Sequence, residues 1–221
     1  VIGALMTKYI TNIFVNSNVI VEPIQGVGGL DEPTTEFLKE IRRITEEKNV
    51  CLILDEVQTG FGRSGKFFAH QFHGIKADII PMAKGMGNGF PIGGVLISKH
   101  IESWHGMLGT TFGGSHLACA AGIAVLDVIR KENLMDNVVE ISEYFKKEVA
   151  NLPGVKKVKG KGLMLGLEFD FEVGDLRKKL IYDEKIFTGG AMNKKLLRIL
   201  PPLNVTKQDI DLFVQALKKT I

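Results

Sequence analysis

The chain has 221 residues, 45% of them hydrophobic and 24% charged, and two cysteines. This excludes disordered, collagenous, coiled-coil and disulfide-scaffold classes, and leaves room for one large domain or two modest ones. Lys plus Arg exceed Asp plus Glu by only three, 28 against 25, and the excess is dispersed, so the charge does not require nucleic acid as a partner.

No apolar run approaches the roughly 20 residues that span a bilayer, and Val1 to Tyr9 lacks the zones of a secretory signal. A soluble, cytoplasmic protein is expected. Cys51 and Cys119 each sit in an apolar stretch, which predicts reduced, buried thiols.

Asn18 to Glu22 reads as a buried strand after a short lead-in, so the chain is expected to begin inside a domain. Glu36 to Glu47 carries Phe37, Leu38, Ile41 and Ile44 at helical spacing. Cys51 to Leu54 and Asp78 to Met82 are short apolar strands. This strand, helix, strand order predicts an α/β fold with a mainly parallel sheet covered on both faces. In such sheets functional groups gather at the carboxyl ends of strands, where Asp55 and Lys84 fall.

An alanine-rich helix is predicted from about His116 to Lys131, suited to connecting domains. Beyond it come a helix near Val138 to Asn151, a Pro153-Gly154 turn, strands near Val155 to Val158 and Leu163 to Phe169, a helix near Asp175 to Lys185, and a strand near Leu196 to Leu200. The last helix opens with Thr206 and Asp209 at capping-box spacing and carries Ile210, Phe213, Val214 and Leu217 on one face. The texture of this second part is α+β. The expected domains are residues 1–125, with the connecting helix, and 126–221. Lys156, Lys157, Lys159 and Lys161 read as a solvated strand edge rather than a phosphate-binding patch.

Lys84 lies in Ala83-Lys-Gly-Met-Gly-Asn-Gly89, where glycines let backbone approach a ligand. By itself it reads as a surface lysine, or as a desolvated amine able to attack a carbonyl. Asp55, in Leu54-Asp-Glu-Val-Gln58, suits a protonated ring nitrogen, with Val57 against the ring and Gln58 on a ring hydroxyl. It could equally cap a helix or bind metal, and Glu56 beside it keeps that open. Gly60-Phe-Gly-Arg-Ser-Gly-Lys66 has the spacing of a nucleotide phosphate loop, but Phe67 follows where magnesium needs a hydroxyl. His70 and His73 have helix-face spacing without a third ligand motif, so no metal is expected. Trp104 and His105 read as packing near a subunit contact.

Val21-Glu-Pro-Ile-Gln-Gly26, Leu54-Asp-Glu-Val-Gln-Thr-Gly-Phe-Gly-Arg-Ser-Gly65, Ala83-Lys-Gly85 and Gly109-Thr-Thr-Phe-Gly-Gly114 occur in order. Together they resemble the class III (ω-amino) pyridoxal-phosphate aminotransferases, in the acetylornithine and succinylornithine branch, over the second half of a family member. The resemblance implies a fold-type I transferase, pyridoxal 5'-phosphate as cofactor, and a homodimer with shared sites. It implies Lys84 as the lysine linked to the cofactor, Asp55 as partner of the pyridine nitrogen, Gln58 beside the phenolic oxygen, and Thr111 at the phosphate of the other subunit. It also implies Arg198, in Leu197-Arg-Ile-Leu-Pro-Pro-Leu203, as the group that takes the carboxylate of a 2-oxo acid, which suits its planar fork.

The expected reaction is transfer of the terminal amine of N-acetylornithine or N-succinylornithine to 2-oxoglutarate in arginine biosynthesis. Ornithine and 4-aminobutyrate are alternative donors. Val27 stands where most relatives have a glutamate that neutralises the arginine numbered 198 here, so another means of managing Arg198 is needed. Glu22 is a candidate ligand contact or a brace for the Gly26 turn. The first half of a family member, which in the family holds the glycine-threonine turn for the cofactor phosphate, the aromatic residue stacked on the ring and a further substrate arginine, is missing from this sequence, so a second reading is a non-catalytic fragment that needs a complementary chain. The chain by itself is expected to be inactive.

Overall fold

A computed structural model describes residues 18–221, so the lead-in and the reading of Val1 to Tyr9 lie outside the described residues. By chain contacts it divides into two compact units. One comprises residues 33–61 and 68–128 with the strand before Pro23. The other comprises 24–32, 62–67 and 129–221.

The first unit holds a four-stranded sheet in the order β1-β2-β3-β4, formed by Val19–Val21, Leu52–Leu54, Ile79–Met82 and Gly94–Ile97. β1, β2 and β3 run parallel, and β4 returns antiparallel along β3. Between β1 and β2 lies α1 (Thr35–Glu47), whose first turn is capped by the Thr34 hydroxyl accepting from Phe37 N at 3.1 Å. Its Leu38 and Ile41 bury against Leu52 and Leu54, giving the sheet one covered face. α2 spans His116–Lys131.

Two acids fix the parallel strands at opposite ends. At the start, buried Asp78 accepts from Leu52 N at 2.7 Å and from Arg42 Nη1 at 3.0 Å. At the finish, Glu56 N donates to Pro81 O at 3.1 Å, holding the exit of β2 beside the exit of β3.

The cysteine expectation needs correction. Cys51 is only half-buried, and Cys119 is exposed. The buried residues of α2 are Ala118, Gly122 and Ile129, a narrow stripe, and Cys119 is turned about 100° from it. Leu117, Ile123 and Leu126 of the same helix are exposed too, so its apolar composition does not translate into burial here.

The second unit packs α3 (Leu134–Val149), α4 (Gly174–Tyr182) and α5 (Lys207–Thr220) on an antiparallel sheet of β5 (Val155–Lys161), β6 (Met164–Phe169) and β7 (Leu196–Ile199), in that order. Val138, Ile141 and Phe145 of α3 meet Leu165 and Leu167 of β6 and Phe213 and Leu217 of α5 in one core. The capping box is present: Thr206 N donates to Asp209 Oδ2 at 2.9 Å, and Asp209 N donates to Thr206 Oγ1 at 3.3 Å. Phe145 is fully buried and stacks on Phe213, so Phe145→Ala is expected to destabilise this unit by about 3–5 kcal/mol, read from a urea titration.

Residues 62–67 belong to this unit for a specific reason. Gly162, at φ 58°, forms the β5–β6 turn so close to the backbone of Ser64 that a Cβ there would lie 2.4 Å from Ser64 C. Leu163 N donates to Arg63 O at 3.0 Å, and the Arg63 guanidinium holds the carbonyls of Leu163 and Pro201. The lysine run occupies edge strand β5, where Lys159, Lys161 and Lys156 pair with Asp31, Glu32 and Asp170. Those acids neutralise what an anion would otherwise meet.

Candidate active site

The parallel pairing of β2 with β3 determines where the two leading candidates lie. Asp55 directly follows β2, and Lys84 follows β3 after Ala83. Asp55 N donates to Val21 O at 2.9 Å, continuing the β1–β2 ladder, while the Glu56–Pro81 bond ties the next residue to β3. Both candidates therefore leave neighbouring strands at the carboxyl edge of the sheet, where strand ends open to ligands.

Asp55 is half-buried, and its Oδ1 accepts from Val57 N at 2.9 Å. That bond orients the carboxylate. Among the described residues Oδ2 has no hydrogen-bond partner, so one acceptor remains for a ligand. Val57 and Gln58 are half-buried beside it. Glu56 points elsewhere: it is fully buried and accepts from the backbone N–H groups of Ala69 and His70 at 2.9 and 2.8 Å, from His70 Nδ1 at 2.8 Å, and from the Thr59 hydroxyl. Burial pushes its carboxyl up, but the bonds from His70, Thr59 and Ala69 outweigh this and hold it below the usual carboxylate range. Glu56 therefore anchors the turn, while Asp55 keeps one carboxylate oxygen without a partner among the described residues.

Lys84 opens a short 3-10 turn, Lys84–Met86, with φ at 41°. A non-glycine residue in the left-handed region is strained, and such residues cluster at functional positions. A Cβ on Gly85 would lie 3.3 Å from Phe61 Cβ, so a small residue there lets the turn sit against the segment after β2. Lys84 is exposed in this chain, so the expected desolvation of its amine is not supplied by the described residues. Glu22 and Thr111 are also exposed.

Other candidates are placed elsewhere. His70 pairs with Glu56 and His73 Nδ1 lies 2.9 Å from Thr35 Oγ1, so both rings serve the packing of residues 69–73. Among the described residues no cluster of three or more side chains could hold a metal ion. After Lys66 comes only a 3-10 turn, Ala69–Phe72, not the helix that a nucleotide phosphate loop opens.

Arg198 belongs to the second unit, on β7. Its Nε donates to Gly190 O at 2.5 Å, and its backbone forms an isolated antiparallel bridge with Gly189. Burial, then the nearby Arg177 charge, pushes its guanidinium pKa down. Val27 is exposed, and its carbonyl accepts from Met192 N at 3.0 Å. The sequence reading missed Arg177, which sits in the Arg-Lys-Lys run of α4 and has the look of a solvated helix face.

Sheet, strand-end acid and strained strand-end lysine fit the fold-type I pyridoxal-phosphate transferases. The chain belongs to the family described as aminotransferase class-III, whose model matches residues 12–221.

Among curated proteins it is similar to the acetylornithine aminotransferase of Aquifex aeolicus, 43% identical over 207 residues, covering 93% of this chain and 54% of that one. The acetylornithine aminotransferase of Methanocaldococcus jannaschii is 40% identical over 205 residues, covering 90% and 51%. The chain thus spans about half the length of the curated relatives it matches. Among solved structures, an ornithine aminotransferase from Plasmodium yoelii superposes with a TM-score of 0.86 at 32% identity, covering 99% of this chain and 60% of that one. An S-selective transaminase from Arthrobacter sp., solved with alanine bound, gives 0.86 at 30% identity, covering 98% and 54%. Pyridoxal 5'-phosphate is the cofactor that this family implies. The donor set fits it, with an amine for its aldehyde and, on half-buried Asp55, a carboxylate oxygen without a partner among the described residues for its ring nitrogen.

Proposed function

We propose that this chain supplies the lysine-bearing half of an enzyme that transfers the terminal amine of N-acetylornithine or N-succinylornithine to 2-oxoglutarate, as a cytoplasmic homodimer serving arginine biosynthesis. The observation that carries the reading is the juxtaposition of the β2 and β3 exits, each ending in one of the two groups the chemistry needs. The acetylornithine aminotransferases at about 40% identity favour this donor class over ornithine and 4-aminobutyrate.

When bound, pyridoxal 5'-phosphate supplies a cationic ring that accepts electrons from the substrate carbon. Lys84 would join it covalently through its ε-amine and, once displaced by the incoming amine, carry the proton removed from the substrate carbon. Asp55 would keep the ring nitrogen protonated, with Val57 against the ring face and Gln58 on its phenolic oxygen. Thr111 would reach the phosphate held by the partner subunit, and Arg198 would take the carboxylate beside the reacting carbon. Glu22 remains a candidate contact.

The full-length protein, given 2-oxoglutarate and each donor in turn, is expected to form glutamate fastest with N-acetylornithine or N-succinylornithine. Faster turnover of ornithine or 4-aminobutyrate would reject the donor assignment. Glutamate formation only on addition of a second chain would favour the fragment reading, which rests on the half-length match.

A further inference from the structure

The second unit contains a group of polar atoms for which the described residues provide no partner. Arg177 Nε, Thr188 Oγ1 and Arg198 Nη1 are all buried, and among the described residues all lack a hydrogen-bond partner. A buried donor left unmatched costs about 1–3 kcal/mol, more when it is charged, so three such atoms along one short segment call for an explanation.

They share a frame. Arg177 Nη2 donates to Thr188 O at 3.0 Å, and Arg198 Nε donates to Gly190 O at 2.5 Å, so two guanidiniums grip the segment 188–190. The glycines allow it: a Cβ on Gly190 would lie 2.9 Å from Arg177 Nη1, and one on Gly189 would lie 3.2 Å from Arg198 Cβ. Neither arginine has a carboxylate partner among the described residues. The neighbouring segment contributes Val27, through Met192 N and Val27 O, and Val27 has no charge to offer. Two like charges held together without a counter-charge destabilise the free protein, and an anion that meets both relieves this.

We propose that Arg177, Thr188 and Arg198 form one carboxylate pocket, in which Arg177 is a positioning and specificity-determining residue. It fixes the segment that Arg198 grips and adds a second positive charge, so the pocket selects carboxylates. Val27 is uncharged, and no described carboxylate neutralises the pocket. That the occupant is a 2-oxo acid rests on the aminotransferase reading; the anion preference does not.

The test is calorimetric titration of the full-length protein with 2-oxoglutarate, at low and high salt. Arg177→Met keeps the bulk and removes the charge, and is expected to weaken binding about tenfold, the scale of one charge-assisted hydrogen bond, with a shallower salt dependence. Arg177→Lys restores most of the loss, and Arg198→Met loses at least as much as Arg177→Met. Unchanged affinity in Arg177→Met overturns the proposal. So does an equal loss in Arg177→Met and Arg177→Lys, which marks a packing role alone, and so does a wild-type protein that does not bind the acid. Covalent trapping of cofactor at Lys84 in the same preparations does not depend on Arg177. Trapping without the Arg177 effect therefore fails this inference alone, and the Arg177 effect without trapping fails the aminotransferase reading alone.

Discussion

Lys84→Ala is expected to eliminate covalent attachment of pyridoxal 5'-phosphate and to lower transamination by at least about 10²- to 10⁴-fold, the share set by lost proton transfer alone. Loss of the covalent step adds to this. The substitution is a clean one structurally. Lys84 sits at φ 41°, and alanine carries the same Cβ into the same left-handed conformation, so the backbone strain is unchanged. The side chain is exposed, so no core contact is lost with it. Activity is read as glutamate formation and attachment as absorbance of the protein-bound cofactor, with a urea titration showing unaltered stability.

Glu56→Ala should have the opposite profile, a large loss of stability before any question of chemistry. The carboxylate is fully buried and accepts from two backbone N–H groups, an imidazole and a hydroxyl. Its removal strands all of these, and the expected cost is about 3–5 kcal/mol, as for one partner of a buried pair. Glu56→Gln is no rescue, because the amide has a single acceptor oxygen and turns N–H groups toward other donors. The folded carboxyl lies below its ordinary value of 4.5. Its contribution is therefore complete above that value and is lost as pH falls through the lower folded pKa. An acid titration of wild type and Glu56→Ala followed by circular dichroism should show the difference in stability shrinking as pH drops through that range.

How much of this was legible in the sequence differs by kind of signal. α1 and α5 were readable because helical spacing and side-chain caps coincide, at Thr34 and at Thr206 with Asp209. The positions of Asp55 and Lys84 followed from continuous apolar runs that end in polar residues, since parallel strands expose their carboxyl ends. β4 was not anticipated: Gly93 and Gly94 disguise its start, and Val95 and Leu96 are exposed on the edge of the sheet. α3 begins at Leu134, four residues before the predicted Val138, because buried Leu134 opens its first turn just after Asn133 at φ 50°.

The candidate site residues came from sequence motifs, and the contacts that support them did not. Residue chemistry alone does not separate Asp55 from Glu56, and only the motif resemblance singled out Asp55; in the structure Glu56 is buried because residues 69–70 fold back to present two N–H groups to it. The strain at Lys84 belongs to backbone geometry, which composition does not encode. Arg177 looked like one cation in a basic run until α4 set it against the segment that holds Arg198.

The central claim is tested most directly by treating the full-length protein with pyridoxal 5'-phosphate, reducing it with borohydride, and mapping the modified peptide by mass spectrometry. The account predicts a single adduct, on Lys84. An adduct on any other lysine, with Lys84 unmodified, would contradict it.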